Sequence, residues 1–123
     1  MSRKYAICKS FRFAFDGLKT AIRKEPNFRI HLVAAISAIF AAYLLGFSSL
    51  EWIILVLTIF LVLIFELMNT ALETLIDLIS PEITPQAKIA KDISAAAVLS
   101  TAFLSIIVGL TLFLPKILLI FTK

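Results

Sequence analysis

The chain has 123 residues, 61% of them hydrophobic and 16% charged, with a mean hydropathy of +1.03. Soluble domains carry about 45–50% apolar and about 25% charged residues, so a water-soluble globule is excluded and a single-domain integral membrane protein, residues 1–123, is expected. The net charge of +4 is unevenly placed: eight of the twelve Lys and Arg fall in the first 29 residues, a basic end that suits anionic headgroups or phosphate and argues against a nucleic-acid partner.

Residues 4–24 read as an amphipathic surface helix. Phe11, Phe15, Leu18 and Ile22 share one face, with Arg12, Lys19 and Arg23 turned away from it, the pattern of a helix lying in the membrane interface. Cys8 is the sole cysteine, which excludes an internal disulfide and any Cys/His zinc spacing. Glu25 follows as a lone acid among bases, and Pro26 disfavours helical geometry at Glu25, so a turn is expected there. The first span covers 28–47 and is rich in Ala and Ser, which lets neighbouring helices approach closely. No small-residue cleavage site closes it, so it reads as a span rather than a secretory signal. His31 near its start suits a headgroup-level or hydrogen-bonded position. Gly46 to Ser49 is a short turn without Lys or Arg.

The second span covers 50–79, with Trp52 at interface depth. Fourteen uncharged residues, Trp52 to Phe65, lead directly into Glu66, Asn69, Glu73 and Asp77. At roughly 100° per residue these lie at about 0°, −60°, −20° and +20°, one polar stripe on one helical face. A carboxylate at the bilayer centre costs about 2.5–3.5 kcal/mol even on lenient insertion scales, so the stripe demands a reason. Ser80-Pro81 ends the helix, and Ser80 to Gln86 is a polar loop carrying Glu82. The third span lies within 86–114, its 22 uncharged residues Ile93–Leu114 closed by Pro115 and Lys116. With the N-terminus and the 80–92 segment inside, ten of the twelve basic residues are cytoplasmic and only Lys116 and Lys123 lie outside, which favours three spans with N-in, C-out topology.

On that topology Glu25, the acidic stripe, and Lys88, Lys91 and Asp92 meet at one membrane edge. Hard oxygen ligands for Mg²⁺, lysines for phosphate charge and a deeper carboxylate to take a proton form a set suited to phosphoryl transfer. Spacing alone leaves two alternatives open. The stripe could be a proton or cation pathway of a transporter or channel, or a structural network in which Glu73 or Asp77 pairs with Lys91 and Asn69 bonds across helices.

FELMNTALETLIDL, followed by AKIAKDISAAAVL and preceded by DGLKTAIRKEPNFR, resembles the signature of the small prokaryotic diacylglycerol kinases, from about Phe11 to Lys116. The resemblance implies an all-α membrane fold, a surface helix plus three spans, assembled as a homotrimer in a bacterial cytoplasmic membrane with the active site facing the cytoplasm. It implies ATP as phosphoryl donor, Mg²⁺ held by Glu25 and Glu73, and Glu66 as catalytic base. It further implies nucleotide contacts from Phe13, Glu25, Glu73, Asp77, Glu82, Lys91 and Asp92, with Asn69 in support. His31 stands where enterobacterial members have an acid, and Ser94 where they have glycine. LEWIILVLTIFLVLIFE, AKIAKD and FLPKI look closer to the Gram-positive branch that phosphorylates undecaprenol, so undecaprenol is the expected acceptor, with diacylglycerol as the alternative.

Overall fold

The computed structural model describes residues 3–122, with side chains from Ile7 onward. The side chains of Arg3 and Lys4, and all of Lys123, thus lie outside the described residues. Four helices follow one another: α1 (Arg3–Lys24), α2 (Pro26–Leu44), α3 (Ser49–Ile79) and α4 (Pro85–Phe121). The last three are long and apolar enough to cross a membrane. In chain order, α1 packs on α2, α2 on α3 and α3 on α4.

Local chemistry sets each boundary. Glu25 has extended backbone (φ −102°, ψ 106°) and Pro26 is the first helical residue of α2, where its missing N–H would have no intrahelical partner anyway. At the other end of α2, Gly46 turns the chain with φ +62°, and the Phe47 amide donates to the Ala42 carbonyl at 3.2 Å. A capping box starts α3: the Ser48 amide donates to Glu51 Oε2 at 2.6 Å, and the Glu51 amide to Ser48 Oγ at 3.4 Å. Ser80 caps the end of α3, and Thr84 Oγ1 accepts from the Ala87 amide to open α4.

The core is slender. Ala42, Phe47, Leu55 and Leu112 are buried together, with Ala38, Trp52, Ile59, Val108 and Phe113 packed around them. Ala35 and Ala42 are the buried small residues that let α2 approach α3. Elsewhere Phe40, Leu57, Phe60, Phe103 and Ile107 point outward, apolar surface far beyond what a water-exposed monomer tolerates.

One boundary departs from the sequence expectation. Pro115 and Lys116 do not close the third span, because α4 runs through both to Phe121. Proline inside a helix forfeits one backbone hydrogen bond, yet continuing the helix lets Lys116 reach back to the α2–α3 turn. Its Nζ lies 3.1 Å from Glu51 Oε2 and 5.3 Å from the centre of the Phe47 ring. Phe47 also packs against Trp52 and Phe113, so the capping box, the aromatic cluster and α4 form one unit. Lys116 is therefore only 24% exposed rather than a free outer charge. The α3–α4 loop is shorter than expected, ending at Thr84 rather than Gln86.

Gly46 offers a clean test of the turn, since a Cβ there meets nothing within 4 Å and any effect comes from its positive φ. Gly46→Ala is expected to destabilise the protein by about 1–2 kcal/mol and Gly46→Asn by less, read from thermal unfolding in detergent.

Candidate functional site

Helix α3 carries the polar stripe, and its surroundings grade that stripe by burial. Glu66 is 2% exposed, one of two buried polar residues among those described. It continues the buried line Leu55, Val62, Glu66 on the face that α3 turns to its neighbours. Asn69 and Glu73 are half-buried and Asp77 is exposed. Glu66 to Asp77 spans roughly 16 Å of helix, so a single face passes from enclosed to open within three turns.

Three titratable groups lie within electrostatic reach of the Glu66 carboxyl: His31 from α2, Glu25 from the α1–α2 junction, and Glu73 from α3 itself. The structure therefore brings together four of the titratable groups that the sequence placed on three separate elements. Glu25 occupies the N-cap position of α2 and is half-buried, and its carboxylate makes no capping hydrogen bond. Asn69 Nδ2 donates to Glu73 Oε1 at 3.0 Å, holding that carboxylate from one turn below. The bond runs within α3, not across helices as the structural alternative supposed. Asn69 Oδ1 is buried with no partner, a neutral oxygen acceptor beside Glu73.

A second group sits at the open end of the stripe. Lys91 Nζ pairs with Asp77 Oδ1, tying α4 to α3 across the loop, and Lys88 pairs with Asp92 one turn along α4. The Asp77–Lys91 pair is the one that the structural alternative proposed. The Lys88–Asp92 pair is solvated at both ends and the Asp77 end of the other is exposed while Lys91 is half-buried, and pairs open to solvent contribute little to stability. Glu82 lies exposed in the loop, where its carbonyl accepts from Ser80 Oγ at 2.6 Å. Phe13 stands on α1 in a groove with Cys8, Lys9, Arg12 and Asp16, and Lys9 Nζ is 5.6 Å from its ring centre.

Among the described residues no three His, Cys, Asp or Glu side chains are arranged to hold a metal ion. The donors around Glu73 nevertheless fit a hard cation that takes one or two carboxylates and completes its sphere with water and phosphate oxygens. Glu25 is uncommitted, Glu73 is oriented, and the unpartnered Asn69 Oδ1 is an oxygen of the right kind.

Sequence reasoning gave no role to Glu51. The Ser48-x-x-Glu51 spacing is a capping-box signature that could have found its first role. Its second, the contact with Lys116, depends on α4 passing Pro115 and had no local signal.

Comparison with known proteins places this arrangement. Residues 12–113 match the prokaryotic diacylglycerol kinase family. The undecaprenol kinase of Bacillus subtilis (strain 168) is 42% identical over 109 residues, covering 89% of each chain. A diacylglycerol kinase of Synechocystis sp. is 44% identical over 110 residues, 89% of this chain but 63% of that longer protein. The diacylglycerol kinase of Escherichia coli (strain K12) is 32% identical over 101 residues, 82% of this chain and 83% of its own. The buried acid of α3, the acids gathered around it and the spans that enclose them all lie inside the matched region, and the chain belongs to the prokaryotic diacylglycerol kinase family.

Proposed function

We propose that the protein is a membrane lipid kinase that transfers the γ-phosphoryl group of ATP to the hydroxyl of undecaprenol. The observation that carries this reading is Glu66, a carboxyl 2% exposed on an apolar helix, with Glu25, His31 and Glu73 close enough to act on it. Solvated acids at a membrane edge are ordinary, whereas an enclosed one with acids around it is costly unless it serves chemistry. Undecaprenol is favoured over diacylglycerol because the Bacillus subtilis undecaprenol kinase matches at 42% identity with equal coverage of both chains.

In this reading Glu66 accepts the proton of the lipid hydroxyl as its oxygen attacks the γ-phosphorus and the bond to the bridging oxygen of ADP breaks. Enclosure by α2 and α3 keeps water from competing for the phosphoryl group. Glu25 and Glu73 would hold Mg²⁺, which when bound offsets phosphate charge. Asn69 orients Glu73 through its 3.0 Å hydrogen bond. Lys91 exchanges Asp77 for phosphate oxygens, Asp92 and Glu82 flank the nucleotide, and Phe13 supplies an aromatic face for it.

The surface helix α1 lies in the membrane interface, with Phe11, Phe15 and Leu18 toward lipid and its basic residues toward headgroups. The N-terminus and the Ser80–Thr84 loop face the cytoplasm of a bacterium, as ten of the twelve basic residues favour. Residues 1–123 act as one membrane domain. Three copies associate through the exposed apolar faces of the spans, a homotrimer that covers surface a monomer leaves to lipid.

Glu66→Gln is expected to lower turnover about 100-fold or more while leaving ATP binding intact. Glu73→Gln is expected to weaken Mg·ATP binding itself, by roughly tenfold or more. Transfer assays in mixed micelles and nucleotide titration separate the two effects, and near-full activity of Glu66→Gln would remove the base assignment. Asp77→Asn divides the functional from the structural reading of the outer pair. A nucleotide role predicts a raised KM for ATP with a stability change under about 1 kcal/mol, and unchanged kinetics would leave Asp77 as a tie between α3 and α4.

A further inference from the structure

Two ion pairs join α3 to α4, one at each end. Asp77 meets Lys91 beside the Ser80–Thr84 loop, and Glu51 meets Lys116 beside the α2–α3 turn. Along the helices the two ties stand roughly 39 Å apart on α3 and roughly 38 Å apart on α4. The near-equal lengths mean that both ties hold one register between antiparallel helices. A slip of α4 at one end is then a slip at the other.

The surroundings of the two ties differ. At the loop end the Asp77 side chain is 66% exposed, and in the lipid-kinase reading Lys91 leaves it for phosphate oxygens, so that tie opens in each catalytic cycle. At the turn end both side chains are about one quarter exposed, 24% for Lys116 and 26% for Glu51. A single oxygen, Glu51 Oε2, accepts from the Ser48 amide at 2.6 Å and from Lys116 Nζ at 3.1 Å, so the carboxylate that caps α3 also holds α4. Phe113 before Pro115 and Lys116 after it both meet the Phe47 ring, at 4.8 Å between ring centres and 5.3 Å from Nζ to the ring centre. The latch thus grips α4 on both sides of the proline. An ammonium held by a carboxylate and an aromatic face together has little freedom to slide. Pro115 denies the Thr111 carbonyl its usual backbone donor, and the contacts of Lys116 offset that loss.

We propose that Lys116 is a positioning residue of the phosphoryl-transfer reaction: its latch on Glu51 and Phe47 sets the register of α4, and so the height at which Lys91, at the other end of that helix, meets the nucleotide phosphates. The proposal rests on the lipid-kinase reading and adds to it a residue that acts on the donor side from the opposite end of the fold. Glu66 is held separately, because the capping box fixes the start of α3 through Ser48 and Glu51 without Lys116. Loss of the latch therefore shifts the phosphate contacts of α4 and leaves the acid of α3 in place.

The test is Lys116→Met in the full chain, purified in detergent, with rates of undecaprenol phosphorylation measured against ATP at fixed excess Mg²⁺. Methionine keeps the covered apolar stem and removes the charge. Expected is a rise of about threefold to tenfold in the KM for ATP, with kcat and the KM for undecaprenol within about twofold of the parent protein. The midpoint of thermal unfolding should move by less than about 5 °C. Lys116→Arg, whose guanidinium suits both a carboxylate and a ring face, should restore the parent KM. Glu51→Gln, which keeps the capping-box acceptor, should raise the same constant by less. On a Lys91→Met background Lys116→Met should add less than about twofold, since the residue whose height is at stake is gone. Parent-like ATP kinetics for Lys116→Met, a fall in kcat at unchanged KM for ATP, or equal effects on the parent and Lys91→Met backgrounds would overturn the proposal. Should Lys116→Met fail to fold, a parent-like KM for ATP in Glu51→Gln overturns it instead. If the unsubstituted protein phosphorylates no lipid alcohol, the lipid-kinase reading itself fails and the positioning role with it. If it does and only the Lys116 effect is missing, the positioning role alone fails.

Discussion

An enclosed carboxyl group on an apolar helix is the constraint around which this protein is arranged. Glu66 sits at 2% exposure on α3, in surroundings where an isolated charge is unfavourable by several kcal/mol. Its neighbours are other titratable groups, Glu25, His31 and Glu73, delivered by the α1–α2 junction, by α2 and by α3. Each local device in that region serves the convergence. Pro26 breaks the chain at Glu25, the alanines of α2 bring it against α3, and Asn69 fixes the Glu73 carboxylate.

The same helix reaches two media. Burial falls from Glu66 through Asn69 and Glu73 to Asp77, where Lys91 ties the open end of α3 to α4. In the other direction the buried line passes through Val62 to Leu55, along a cavity shared with α2 and α4. A charged, water-soluble donor suits the first direction and a hydrocarbon acceptor the second, with the carboxyl at their meeting point. The far end of α3 is held by different chemistry: the Ser48–Glu51 capping box, the Lys116 contact and the Phe47, Trp52 and Phe113 rings. That anchor fixes the start of α3, so that the position of Glu66 follows from helix length alone.

Much of this was legible in the residues because it depends on local rules. Uninterrupted apolar runs marked the three spans, Pro26 and Ser80-Pro81 marked breaks, and the spacing of Glu66, Asn69, Glu73 and Asp77 put them on one face. Pro115 misled, because proline reads as a stop while a membrane helix can pass through it when tertiary contacts reward the continuation. Those contacts, Lys116 with Glu51 and Phe47, join residues more than sixty positions apart and leave no periodic trace. The direction of the Asn69 hydrogen bond was open for a related reason. A carboxamide at that position can reach its own helix or a neighbour, and the in-helix partner Glu73 was four residues away. The depth order of the stripe was visible only in outline, since burial depends on which helices cover α3 and how far.

The central claim is that α3 joins ATP to undecaprenol at Glu66, and the most direct measurement offers undecaprenol and diacylglycerol together to the purified protein with γ-labelled ATP and Mg²⁺. The account predicts label in undecaprenyl phosphate in excess over phosphatidic acid, dependent on Mg²⁺. Label in neither lipid, or preferential labelling of diacylglycerol, would contradict it.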